Sequence, residues 1–219
     1  MKKEKAKYYA RNFENIEQRD RIFLRNPVFI TGLGLAPIVV AATNMNNALI
    51  LGFAVALLLI PTRVFSAIIS RFVLYRFRSI VYAVVSAIVY IGVYYVVRYT
   101  FGTQIQAVGI YLPLLVLDPL IIKRYEKPSK EKISTAFSKG LLTTLGFELA
   151  LFIMAAIREI MAHGTIFDIK ILAEAPMPAV GLVSGGFILM GLIAALWRAV
   201  IAYFKKTVYE EVAQDGRSA

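Results

Sequence analysis

Charged residues are missing from four long stretches of the chain, 26–62, 79–97, 99–117 and 175–197. Short blocks rich in Lys and Arg separate them. A helix needs about 20 apolar residues to cross the hydrocarbon core of a membrane. The first stretch is too long for one crossing and has a polar break, Thr43-Asn44-Met45-Asn46-Asn47. It divides into a short helix at 28–42 and a full one at 48–70. The rest of the pattern predicts helices at 80–97, 108–122, 140–161 and 179–204. The expected fold is an all-α integral membrane protein with six transmembrane helices. A basic segment, 1–25, precedes the membrane domain at 26–204, and a tail follows at 205–219. The first segment has no compact apolar core of a signal peptide. Two readings of it stay open: an amphipathic surface helix resting on Tyr8, Tyr9, Phe13, Ile16 and Phe23, or a solvated basic tail.

Composition narrows the class. The chain is 58 % apolar and only 18 % charged over 219 residues, against about half and a quarter for a soluble domain. A soluble enzyme and a disordered chain are both excluded. Cysteine is absent, so no disulfide, thiolate nucleophile or cysteine-ligated metal comes from this chain alone. The single histidine, His163, makes no histidine cluster. The net charge of +11 lies in blocks beside apolar segments. That placement favours topology control and anionic lipid over nucleic acid. Eight Lys and Arg precede the first helix, none lies in the first turn, and Arg71, Arg76 and Arg78 fill the next loop. Only Arg98 follows, then six between Lys123 and Lys139, then Arg158 and Lys170, then the basic tail. The alternation predicts both ends on the cytoplasmic side.

Helices 1 and 4 are the first sign of mechanism. Each is about 15 residues, or roughly 22 Å, shorter than the core it must cross. Both contain proline, in Leu35-Ala36-Pro37 and in Pro113 with Leu117-Asp118-Pro119, and the first also has Gly32 and Gly34. Such breaks are tolerated in lipid only where protein or a cavity satisfies the freed backbone. They occupy matching places in two halves, about 26–98 and 107–204. Helices 2 and 5 also align: Leu51-Gly52-Phe53-Ala54-Val55-Ala56-Leu57 matches Leu145-Gly146-Phe147-Glu148-Leu149-Ala150-Leu151 at five of seven positions. With three helices per half the second must be inverted, and paired broken helices in an inverted repeat point to a site near the midplane.

The residues also carry a family resemblance. Asn26-Pro27-Val28, Gly32-Leu33-Gly34-Leu35-Ala36-Pro37, Gly109-Ile110-Tyr111-Leu112-Pro113-Leu114 and Gly146-Phe147 are joined by Ala156-Ile157-Arg158-Glu159-Ile160 and Gly164-Thr165-Ile166-Phe167. Pro178-Ala179-Val180-Gly181 and Gly185-Gly186-Phe187 complete the set. From 26 to 197 the chain resembles the paired six-helix subunits of the Rnf and sodium-pumping Nqr complexes, most closely the Rnf E / Nqr D branch. The resemblance implies a paralogous partner of opposite topology in a bacterial or archaeal cytoplasmic (inner) membrane. It implies a [2Fe–2S] cluster shared with that partner between short helices, and flavin and iron–sulfur groups on further subunits. It also implies electron flow coupled to sodium or proton pumping.

The chain departs from that pattern at the ligands. Ala36 and Pro119 stand where the family places cysteines, and neither ligates iron. Three charges are gained: Asp118 in place of an asparagine, Glu148 in place of a small polar residue, and Arg63 in place of an asparagine. Charges at membrane depth face a cavity or an opposite charge. Arg63 with Glu148 as a structural ion pair, a protonatable or cation-binding site, and an Arg63 that snorkels to the membrane edge all remain open. Arg158 and Glu159, adjacent and on different helix faces, read as anchors or caps or as a coupling motif. Asn44, Asn46 and Asn47 read as caps, with a cation site as the other option. Trp197 and the tyrosines read as lipid-interface anchors, and Gly181, Gly185, Gly186 and Gly191 as close-packing positions. No phosphate loop, Ser-His-Asp set or HExxH motif appears, so no catalytic residue and no metal site is expected in this chain alone. The favoured reading is a membrane subunit of an Rnf/Nqr-like electron transport complex. The alternatives are a transporter for an ion or small metabolite using Asp118, Glu148 and Arg63, and a non-redox scaffold.

Overall fold

A computed structural model describes residues 13, 16, 20–119, 121 and 132–217. Tyr8, Tyr9 and the basic residues from Lys123 to Lys130 lie outside them. Four helices are long and apolar enough to cross a membrane: α1 (Met45–Ile69), α2 (Arg78–Phe101), α3 (Ile133–His163) and α4 (Val183–Arg217). A short antiparallel hairpin, β1 (Thr165–Ile166) with β2 (Ile169–Lys170), joins α3 to the last part of the chain.

The two remaining segments differ from the helices expected at 28–42 and 108–122. The first is helical only as a wide turn at Pro37–Ala41, where the Ala42 N–H donates to Pro37 O at 3.1 Å. Upstream of it the chain is organised by Asn26. The Asn26 carboxamide oxygen accepts from the Val28 and Phe29 N–H groups at 2.9 and 3.2 Å. Its NH₂ donates to Ile22 O and across to Gly146 O, both at 2.8 Å. The second segment splits at Gly109, whose φ of +54° interrupts the ladder. Pieces at Ile105–Val108, Tyr111–Leu114 and Leu115–Leu117 result. Proline and left-handed glycine prevent either segment from forming a continuous ladder, and side chains of the long helices satisfy what is left open. Ser86 Oγ on α2, for example, donates to Val116 O at 2.7 Å.

Local chemistry sets the long helices. Asn44 caps α1 by accepting from the Asn47 N–H at 2.9 Å, an ordinary N-cap role. Gly164 ends α3 in the left-handed region with its N–H on Ile160 O at 2.9 Å, the common glycine stop. A 3₁₀ turn at Pro178–Gly181 delays the last helix to Val183. That helix runs on past Phe204, through residues read as a tail, with a Lys206–Glu210 pair at 3.6 Å along its flank.

The core lies between α1 and α3. Ile50, Leu51, Ala54, Val55 and Leu58 meet Phe147, Ala150, Leu151 and Met154, all buried. In lipid such contacts act through close packing and interhelical hydrogen bonds more than through water exclusion. Gly181, Gly185 and Gly186 do sit in close approaches, Gly186 within reach of Val39 O and Arg158, whereas Gly191 faces open space. Trp197 is more than a lipid anchor: its indole N–H donates to Phe23 O at 2.9 Å, and its ring stacks on Phe23 with centroids 5.8 Å apart. At the far end of α4, Tyr209 meets Phe13 with centroids 6.1 Å apart, and Lys205 Nζ lies 5.1 Å from the Phe13 ring centroid. The two ends of the described chain therefore lie on one side of the bundle, opposite the hairpin.

Candidate functional site

The two broken segments meet inside the bundle. Gly34, with φ +61°, lies against the ring of Phe147 on α3 and beside the Asp118 carboxylate. The Gly34 backbone N–H hydrogen-bonds to that carboxylate. A Cβ on Gly34 would fall 2.7 Å from Phe147 Cζ and 3.4 Å from Asp118 Oδ2. Asp118 is 4 % exposed, and its Oδ2 has no hydrogen-bond partner among the described residues. Glu148, the next residue after Phe147, turns to a different neighbour. Its carboxylate rests on Gly52 of α1, where a Cβ would lie 3.0 Å from Cδ. Its Oε1 is also buried without a partner among the described residues.

Depth follows from helix geometry. At 1.5 Å per residue, Phe147 stands about 12 Å from Lys139 and about 16 Å from Arg158 along α3. That is close to the middle of a hydrocarbon core about 30 Å thick. Both carboxyl groups belong to this level.

Arg63 does not join them. It lies eleven residues beyond Gly52, about 16 Å along α1, so it does not pair with Glu148. Its stem packs on Gly140 of α3, where a Cβ would be 3.4 Å from Cδ. Contact of the two helices thus has a reciprocal form. A long charged side chain from each covers a glycine of the other.

We expect Gly52→Ala to lower stability in detergent by about 1–3 kcal/mol through overpacking. Combining it with Glu148→Ala should recover most of that loss in a thermal-unfolding assay. Simple additivity of the two variants would show that the carboxylate does not occupy this space.

A second cluster sits at the hairpin end. Arg158 is fully buried and donates only to backbone carbonyls. Its Nη1 reaches Val39 O at 2.6 Å and Ala42 O at 3.2 Å. Nε reaches Val180 O at 3.2 Å, and Nη2 reaches Gly181 O at 3.0 Å. The planar fork thus ties the end of the first broken segment to the turn before α4. Glu159 faces another way. Its Oε2 accepts from the Met45 N–H at 2.7 Å, at the start of α1. Its Oε1 accepts from Thr165 Oγ1 at 3.1 Å and from the Asp168 N–H at 3.0 Å. Phe167 and Asp168 form the hairpin turn with φ of +52° and +63°, and Asp168 accepts from Asn46 Nδ2 at 2.6 Å. Adjacent residues on different faces therefore brace two different elements.

Ala36 and Pro119 make no seat for an iron–sulfur cluster. Ala36 is exposed on the flank of the bundle beside Leu35, and Pro119 is buried. A methyl and a pyrrolidine ring offer no ligand. The chain has no cysteine, and no group of three His, Cys, Asp or Glu among the described residues gathers as metal ligands. The residues at this junction do not fit the cluster. Sequence reasoning missed Asn26 and Ser86, which satisfy freed backbone at the breaks. The Asn-Pro dipeptide at 26–27 was a usable turn signal for the first, while nothing local marks Ser86.

Comparison with known proteins places the sequence in a family. Residues 17–194 match the Rnf-Nqr family, described as "Rnf-Nqr subunit, membrane protein". The chain is similar to the E subunit of the ion-translocating oxidoreductase complex of Shewanella sp. strain MR-4, 30 % identical over 210 residues, covering 88 % of this chain and 90 % of the relative. The protein of the same name from Shewanella oneidensis is 35 % identical over 150 residues, covering 67 % and 64 %. That from Haemophilus ducreyi is 31 % identical over 150 residues, covering 68 % and 66 %. The protein is a multi-pass membrane protein and belongs to the Rnf-Nqr family of membrane subunits.

Proposed function

We propose that this chain is the integral membrane subunit of an ion-translocating oxidoreductase complex, matching the role its relatives' names give them. The observation that carries the reading is the meeting of two broken segments at Gly34, Asp118 and Phe147, deep in the bundle. Interrupted helices that face each other at membrane depth are the usual way a helical membrane protein builds a path rather than a wall.

In this reading the two broken segments and four long helices make six crossings in two inverted halves, 26–98 and 107–204. The pairing of α1 with α3 supports it. A repeat that maps Gly52 to Gly146 and Ala54 to Glu148 has its two-fold axis at the level of Phe53 and Phe147. Seating Glu148 on Gly52 and Arg63 on Gly140 is the antiparallel register such an axis generates. Both ends lie in the cytoplasm, by the distribution of Lys and Arg, in a bacterial or archaeal inner membrane. The exposed flank at Leu35 and Ala36 is the face for a paralogous six-helix subunit of opposite topology. Flavin and iron–sulfur groups belong to partner subunits, and Ala36 and Pro119 mark where this chain gives up cluster ligation.

The test is a gently solubilised, tagged complex from native membranes, with its subunits identified and flavin, iron and acid-labile sulfide counted per copy. Flavin-bearing partners in fixed ratio are expected. A protein that purifies with no redox subunit and no cofactor would overturn the reading.

A further inference from the structure

Two carboxyl groups have buried oxygens at the level where the broken segments meet. Asp118 Oδ2 and Glu148 Oε1 are buried atoms without a hydrogen-bond partner among the described residues. They belong to one depth, because Phe147 touches the Gly34–Asp118 contact and Glu148 follows it in the chain. An ionised carboxylate so placed needs a counter-charge. Arg158 lies about 16 Å further along α3 and directs its donors to four carbonyls. No ion pair among the described residues involves either acid. A bound metal cation needs several oxygen ligands, as the hard-cation sites of proteins show. The Gly34 N–H hydrogen-bonds to the Asp118 carboxylate, and the Glu148 carboxylate rests on Gly52. No group of three His, Cys, Asp or Glu gathers there among the described residues, whereas a proton needs only the orphaned oxygen itself.

The geometry points to Asp118 and Glu148 as two proton-holding carboxyl groups at membrane depth, so that the ion moved through this chain is a proton. Each binds one proton as an O–H on its orphaned oxygen. Each releases that proton to water, leaving the carboxylate, when the surrounding helices open. The inference rests on the ion-translocating reading above and assigns its ion.

The test has two parts. Infrared difference spectra of the full-length protein in lipid, in the wild type, Asp118→Asn and Glu148→Gln, read the C=O stretch of protonated carboxyl groups. Each isosteric variant is expected to lose one such band, and the lost band should shift in heavy water. Proteoliposomes of the whole complex then report proton uptake on donor addition, which the double variant should lose. Wild-type spectra without the bands would overturn the proposal, as would bands abolished by sodium at constant pH, which would identify a cation site. Proton uptake retained in the double variant would also overturn it. Bands present in a protein that purifies without redox subunits would keep the carboxyl assignment and sink the complex reading. Redox partners with no bands would do the reverse.

Discussion

Replacing Arg158 with alanine should cost the protein its fold, or roughly 3–5 kcal/mol of stability where a folded fraction survives. The estimate follows from the partners. Four carbonyls, on Val39, Ala42, Val180 and Gly181, accept from this one side chain. A buried acceptor left without a donor costs about 1–3 kcal/mol, and neighbouring losses are not additive. Arg158 is fully buried in protein, so its carbonyl partners lose their donors away from solvent. Lysine keeps the charge but offers a point donor in place of a planar fork, so Arg158→Lys should recover only part of the loss. Thermal unfolding in detergent, read with the yield of monodisperse protein, checks both. An alanine variant as stable as the wild type would mean that the carbonyls find other donors and that the clamp is incidental.

Gly34→Val should have the second largest effect, because two penalties coincide at that position. The backbone there is left-handed, with φ of +61°, which costs a residue with a Cβ about 1–2 kcal/mol. The new side chain would also meet the Phe147 ring, adding about 1–3 kcal/mol of overpacking. The two parts can be separated. Phe147→Leu combined with Gly34→Val should relieve the clash and leave the conformational part. The same variant pushes the first broken segment away from Asp118, so it should impair ion movement beyond what its stability predicts. A Gly34→Val protein with normal melting and normal activity would show that this contact neither shapes nor serves the site.

Much of the architecture was readable from the sequence, for a physical reason. A membrane span must be apolar over its length and satisfy its own backbone, so α1 through α4 announce themselves by hydropathy, whereas the polar ends of α3 and α4, which begin seven residues earlier and run thirteen residues later than hydropathy predicts, do not. The two breaks were readable as well, because each puts proline in an apolar segment of only about 15 residues, shorter than a full crossing. What replaces helix at those breaks was not readable. The wide turn at Pro37–Ala41 and the split at Gly109 depend on donors brought from elsewhere in the chain, such as Asn26 and Ser86. Charged residues show the same limit. Sequence identifies Arg63, Asp118 and Glu148 as costly and therefore meaningful, but it does not give their neighbours. Arg63 and Glu148 look like a natural pair until their contacts seat them on different glycines, Gly140 and Gly52, turns apart along the helices. Arg158 and Glu159 look like a boundary motif until their hydrogen bonds show two separate braces. Trp197 has a lipid-anchor signature, yet its N–H belongs to Phe23.

The reciprocal seating of α1 and α3 carries a consequence for how related sequences diverge. Glu148 lies on Gly52, and Arg63 lies on Gly140. At position 52 a side chain would collide with the Glu148 carboxylate, whereas at position 140 one would reach only ordinary contact with the Arg63 stem. Positions 52 and 148 therefore form a linked pair on an evolutionary path. A lineage that gains a long residue at 148 must first hold glycine at 52, and one that fills position 52 must shorten 148. Drift at position 52 is free only after the long side chain at 148 has gone. The order in which substitutions at 52 and 148 accumulate is thus constrained by the space between the two helices.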